Sequence, residues 1–145
     1  MTRSPAEPFL NMRFRVEIDA LRETGVAEVV FPQARLVRGR RAHRARYGTL
    51  SLRRGVGHST DWHGWWEEAR TARRTPARTV TVTLLDESGA IARRWRFDDA
   101  RPVAYSLSNL DALGNEVLME TLELAVGSFE EGSGGRPTAR NRVRR

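Results

Sequence analysis

At 145 residues the chain suits one domain, and its 39% hydrophobic content supplies a real core, which excludes global disorder. It has no cysteine, so disulfides, thiolate metal sites and cysteine nucleophiles are excluded, and no apolar run approaches the roughly 20 residues a membrane span needs. The net charge of +7 is unevenly placed: all 25 basic residues are arginine, six within 35–46 and five within 136–145, and neither segment holds an acid. Without those eleven charges the body is mildly acidic.

In chain order, the first eight residues are not followed by an apolar stretch, and we expect no signal peptide there. Residues 13–19 alternate strictly, with Phe14, Val16 and Ile18 on one face and charges on the other, which predicts a strand. Shorter strand candidates are 26–31 and 34–38. Residues 47–53 alternate again, with Leu50 and Leu52 on one side. Ser59 or Thr60 then suits a helix N-cap, and Asp61 suits the positive end of the helix dipole. Trp62, Trp65, Trp66, Ala69 and Arg73 recur at helical spacing, so three indoles share one side of a helix that Pro76 brings to a stop. Such a stripe reads as core packing before it reads as an aromatic ligand shelf.

Residues 78–85 form the cleanest strand, with threonines on one face and aliphatic residues on the other. Asp86, Glu87, Ser88 and Gly89 predict a tight turn into a second strand over 90–97, and a further strand is expected at 103–107. Residues 115–129 are rich in Glu, Leu, Met and Ala, and local propensity alone favours a helix. A strand there would need a bulge near Glu120 or Thr121, because Val117 and Met119 fall on one parity and Leu122 and Leu124 on the other. Residues 132–135 read as a flexible linker and 136–145 as a mobile arginine tail.

Chemistry-bearing constellations are few. His58, Asp61 and His63 are the one cluster resembling a metal site, but His63 projects away from the tryptophan stripe and a preformed site is not expected. Ser59 beside His58 lacks a third partner and a glycine elbow, so capping accounts for it better than nucleophilic catalysis. Glu116, Glu120 and Glu123 are carboxylates of the type that work in acid–base pairs. No catalytic residues, metal ligands or cofactor-binding residues are assigned, and no enzymatic activity is expected.

Two stretches carry a resemblance: 47–56, with Tyr47, Gly48, Leu50, Leu52, Arg54 and Gly55, and 115–125, reading Asn-Glu-Val-Leu-Met-Glu-Thr-Leu-Glu-Leu-Ala. Between and around them, in order, stand Phe14 to Ile18, Gly25, the tryptophan helix, Leu85-Asp86 with Gly89, Trp95 with Phe97, and Pro102. Together they resemble the tail-tube protein family of contractile phage tails and phage-tail-like injection particles, over residues 9–131.

The resemblance implies a mainly β fold with one helix, in which two orthogonally packed antiparallel sheets form a small barrel. It implies that 115–129 is a long strand, against local propensity. It implies a structural subunit of an inner tube: six copies in a ring around a channel, rings stacked, with sheath, baseplate and neighbouring tube proteins as partners. No membrane insertion is implied, and nucleic acid enters only as channel cargo. The subunit would be made in the cytoplasm and then join a tail or a phage-tail-like particle, in or outside the cell. The expected domain plan is a flexible 1–8, a globular 9–131 and a flexible 132–145.

On this reading Arg38, Arg40, Arg41, Arg44 and Arg46, with Glu116, Glu120 and Glu123, make contacts between subunits or rings. Trp62, Trp65, Trp66, Trp95 and Phe97 pack the core. The segment between Phe31 and Tyr47 departs from the family, being shorter and more basic, which points to a specialised initiator or terminal ring. Two other readings of its arginines stand beside assembly: a monomeric nucleic-acid-binding module using this loop and the tail, and a solvated hairpin tip.

Overall fold

The computed structural model describes residues 13–21, 25–74 and 77–133; the expected flexible N-terminus, Pro76 and the arginine tail lie outside them. Within this range the alternating segments become strands β1 (Phe14–Ile18), β2 (Val26–Val30), β3 (Ala34–Arg38), β4 (His43–Tyr47) and β5 (Thr49–Gly55). Helix α1 (Asp61–Thr71) follows, and then β6 (Arg78–Leu85), β7 (Ile91–Leu107), β8 (Met119–Ala125) and β9 (Ser128–Ser133). The last strand continues two residues into the segment that reads as a linker.

Seven strands form two antiparallel sheets that share β7. Its first half pairs with β6 on one side and β9 on the other, and β6 pairs with β1. Its second half pairs with β8, which pairs with β5, which pairs with β2. The expected strands at 90–97 and 103–107 are therefore one strand of 17 residues that passes from sheet to sheet. The two sheets do not close into a barrel: β1, β9, β2 and the second half of β7 remain as edges among the described residues.

The transfer of β7 between sheets has a local cause. Asp99 adopts a positive φ of 60°, which aspartate tolerates better than most residues, and the register with β8 shifts between Pro102 and Ala104. The Asp98 carboxylate fixes this corner by accepting hydrogen bonds from Thr79 Oγ1 at 3.3 Å, Arg96 Nη2 at 3.1 Å and Ser128 Oγ at 3.3 Å. Gly127, in the turn from β8 to β9, donates its N–H to the Asp98 carbonyl at 2.9 Å.

The core lies between the sheets. Val16, Ile18, Val80, Val82, Phe97 and Ala100 come from one sheet, and Leu50, Leu52, Leu122 and Leu124 from the other. Trp62 and Trp65 of α1 complete it, while Trp66 and Trp95 pack partly buried against it. At about 25 cal/mol per Å2 of apolar surface, the two enclosed indoles contribute several kcal/mol each. Thr60 makes no side-chain cap; Ser59 Oγ accepts weakly from the Asp61 N–H at 3.4 Å. The helix ends at Thr71, before Arg73.

The predicted turn at Asp86 is present. Asp86 Oδ1 accepts from the Ser88 and Ala90 N–H groups and from Ser88 Oγ, at 2.9, 3.0 and 2.7 Å. Gly89 takes a φ of 90°, which a side chain would strain.

Candidate assembly surfaces

A buried ion network anchors α1 to the second sheet. Arg54, third in the inward row after Leu50 and Leu52, donates from Nε to Glu120 Oε2 at 2.6 Å and from Nη2 to Asp61 Oδ1 at 2.7 Å. The side chains of Arg54 and Glu120 are each only 4% exposed. Tyr105, across from Leu122 on β7, donates its hydroxyl to Glu120 Oε1 at 2.6 Å, and the Arg54 guanidinium lies 4.0 Å over the Trp62 ring. Charges this deep persist only when paired and hydrogen-bonded, and here each carboxylate meets the same guanidinium.

Titration follows from that geometry. Burial pushes the Asp61 carboxyl up, but the hydrogen bonds from Arg54 and Ser59 and the Arg54 charge outweigh it and hold it below the ordinary range. Burial, then the hydrogen bond to Glu120 and its charge, push the Tyr105 phenol up to about 12.

This network corrects two expectations. Glu120 is not available for contact between subunits, because its carboxylate is enclosed by Arg54 and Tyr105 within one subunit. Nor does β8 need a bulge. It runs in unbroken register with β5, and its inward row is Glu120, Leu122, Leu124. The glutamate takes the slot where alternation asks for an apolar residue, and Val117 lies before the strand, exposed.

The remaining contact candidates lie outside. Glu116 is exposed and Glu123 half-buried on the outer face of β8. Arg38, Arg40, Arg41, Arg44 and Arg46 belong to a two-stranded hairpin, β3–β4, separate from the two sheets. Every residue of 33–46 is exposed. The hairpin closes at its base through the Gly48 N–H to the Gln33 carbonyl, 2.9 Å. There Phe31 stands edge-on to Trp95 at 5.0 Å, and Tyr47 meets Phe129 at 6.2 Å.

Its register places Arg35 opposite Arg46 and Val37 opposite Arg44 on one face, and Leu36 opposite Ala45 on the other. Like charges directly opposed destabilise a strand pair, and an isolated two-stranded hairpin is marginal in water. No ion pair within the described residues relieves it.

His58, Asp61 and His63 do not come together as a site. Asp61 is engaged by Arg54, while His63 lies 3.5 Å from Glu67 and edge-on to Tyr105 at 5.3 Å. Among the described residues no group of three His, Cys, Asp or Glu side chains is placed to hold a metal ion, and no helix is long and apolar enough to cross a membrane. Sequence reasoning missed the role of Tyr105 and the exposed apolar residues Leu107, at the end of β7, and Leu110, Leu113 and Val117 beyond it. The run's departure from strand alternation was the available signal.

Two antiparallel sheets sharing one long strand, flanked by a tryptophan helix, make up a fold with counterparts among solved tube proteins. The chain resembles the tube complex of an extracellular contractile injection system, the PVC sheath–tube complex in its extended state (16% identity, 89% of this chain and 94% of that one, TM-score 0.70). It also resembles the tube-terminating cap of the anti-feeding prophage (15% identity, 92% and 96%, TM-score 0.70). A third likeness is Hcp1 from Flavobacterium johnsoniae (18% identity, 83% and 95%, TM-score 0.63). At these identities they show the fold.

The profile of the T4-like virus tail tube protein gp19 family matches residues 10–130, and the chain belongs to that family. It is a structural protein of the tail-tube kind. No curated protein matches it by sequence. Neither the family nor the neighbours support a monomeric nucleic-acid-binding module.

Proposed function

We propose that six copies of this chain close into a ring around a central channel, and that such rings form the inner tube of a contractile tail or injection particle. Family membership across residues 10–130 carries the reading. The open edges support it: an unpaired row of N–H and C=O groups is a liability in a monomer, and a closed ring pairs those groups between sister copies. The work is mechanical. A separate sheath and baseplate would move the tube, the ring contributing rigidity and a bore rather than a catalytic group. The particle would be assembled from subunits made in the cytoplasm, and could act outside the cell.

The two ends of the β5–β8 ladder carry exposed side chains, the arginine hairpin at one and the leucine-bearing loop at the other. Negative-stain images of the purified full chain at high concentration test the ring. Sixfold annuli, alone or stacked, are expected. Isolated particles of monomer size at every concentration and salt, with no incorporation onto preformed tubes, would refute it.

A further inference from the structure

The 11 residues between β7 and β8 hold a shape of their own without burying their leucines. Ser108 closes the base, its Oγ accepting from the Met119 N–H at 2.9 Å, and Asp111 organises the tip, its Oδ1 accepting from the Leu113 N–H at 3.1 Å. Yet Leu110 is 84% exposed and Leu113 94%. The acids beside them, Asp111 and Glu116, are exposed and make no ion pair with a described residue. An ordered loop that displays large apolar side chains marks a contact surface. What fits this one is apolar along its stem and positive at its tip.

Arginine has that form: its methylene stem lies along apolar surface while the guanidinium pairs with a carboxylate. After Ser133 the chain continues through residues 134–145, with five arginines, Val143 and no acid. The other terminal segment, 1–12, sets Arg3 against Glu7 and has no such sign. The family profile ends at residue 130 and leaves the arginine segment unassigned.

Reach decides between the two arginine-rich stretches. The hairpin is too far from the loop within one subunit: Thr49, beside the hairpin base, pairs with Ala125, whereas Gly55 pairs with Met119 beside the loop base, at the other end of the β5–β8 ladder. The C-terminal segment starts from Ser133, which pairs with Arg93 near the start of β7, and the loop follows Leu107 at its end. The strand between them is about 46 Å long, and its passage from sheet to sheet around the core shortens the direct path. Twelve extended residues cover about 40 Å, so the last of them reach the loop of their own chain. A tethered segment works at an effective concentration of about a millimolar, so a contact too weak for a free peptide suffices.

We propose that the 108–118 loop is the docking surface for the chain's own C-terminal segment, residues Arg140 to Arg145. The segment lies across Leu110 and Leu113, with its guanidinium groups on Asp111 and Glu116. It covers the leucines in the free subunit and has to be displaced before they meet a sister copy. That role rests on the ring reading above; the contact itself does not.

The absence of cysteine permits a clean test. The full-length chain carrying both Leu113→Cys and Val143→Cys, at a concentration where it is monomeric, is treated with a short bismaleimide and resolved under denaturing conditions. A closed monomer migrating ahead of the open chain is expected, at a rate that tenfold dilution leaves unchanged. Adding Arg140→Glu/Arg142→Glu, or Asp111→Arg/Glu116→Arg, should slow closure tenfold without changing circular dichroism, and combining the two pairs should recover most of it.

No closed species would overturn the docking. So would closure that the charge reversals leave untouched, since that is chance collision of a tethered segment. Cross-linked dimers in place of closed monomers would put the segment on another copy and overturn it equally. The capping role fails if the Arg140→Glu/Arg142→Glu chain does not form annuli at a lower concentration than the parent. Annuli without closure leave the ring reading intact, and closure without annuli sinks the ring reading alone.

Discussion

Glu120→Ala removes the central carboxylate of the buried network and leaves Arg54 enclosed at 4% exposure. Breaking a buried pair from one side costs about 3–5 kcal/mol, because the remaining charge stays desolvated. Two features of the site refine that figure. Arg54 keeps its 2.7 Å bond to Asp61 and its place over Trp62, which lowers the cost. Tyr105 loses its acceptor, which raises it. We expect a loss of about 3 kcal/mol, which at roughly 2–4 °C per kcal/mol for a chain of this size is a fall in Tm of about 10 °C. Thermal and denaturant unfolding of the same samples, followed by circular dichroism, measure it. The double variant Arg54→Met/Glu120→Leu fills the space with apolar atoms and should recover to within about 1 kcal/mol of the parent. Strictly additive single effects, or a Glu120→Ala loss below about 1 kcal/mol, would show that the pair is not the anchor its geometry describes.

Other consequences can be checked alongside. Tyr105 should ionise only near pH 12, and its folded-state value lies above the ordinary 10. Its contribution to stability is therefore complete below pH 10 and lost between about 10 and 12, and ultraviolet titration of Tyr105→Phe should lack the late step. Asp61 has the opposite sign: its folded-state value lies below the ordinary 3.8, so its contribution is present above that pH and fades as pH falls through the depressed value. In Asp61→Asn the acid limb of stability should flatten. Gly127→Ala would place a Cβ 2.8 Å from Asp99 Cβ and 3.1 Å from Asp99 Oδ2, so the β8–β9 corner must shift. A loss of about 1–3 kcal/mol is expected in chemical denaturation, and an unchanged midpoint would mean that the corner is softer than it looks.

How far the sequence reaches is clearest in β8. Residues 119–125 carry helix-favouring side chains, and no local signal reveals that Glu120 faces inward, since a carboxylate normally marks the solvent side. Its partner Arg54 is 66 positions earlier in the chain, and its second ligand Tyr105 is on another strand. Only pairing of β5, β8 and β7 side by side brings the three together. The resemblance supplied the strand assignment; propensity alone pointed to a helix. The helix itself was legible from the spacing of its tryptophans, and its start at Ser59 and Thr60 with it, although its last residue was not.

The hairpin illustrates the other half. Residues 34–38 read as a strand and the arginines as a contact surface, but the sequence left 33–46 as a connection. Its pairing through five positions, separate from both sheets, is a feature of the tertiary structure.

By itself the sequence determined the alternating strands, the turn at Asp86, the tryptophan face of α1 and the family, because period-two and helical spacing and short ordered motifs are local properties. Tertiary structure decided which polar side chains lie inside, where β7 passes between sheets, which edges stay open, and that the arginine hairpin and the leucine loop stand at opposite ends. Those are relations between distant residues, fixed by register and burial rather than by neighbours in the chain.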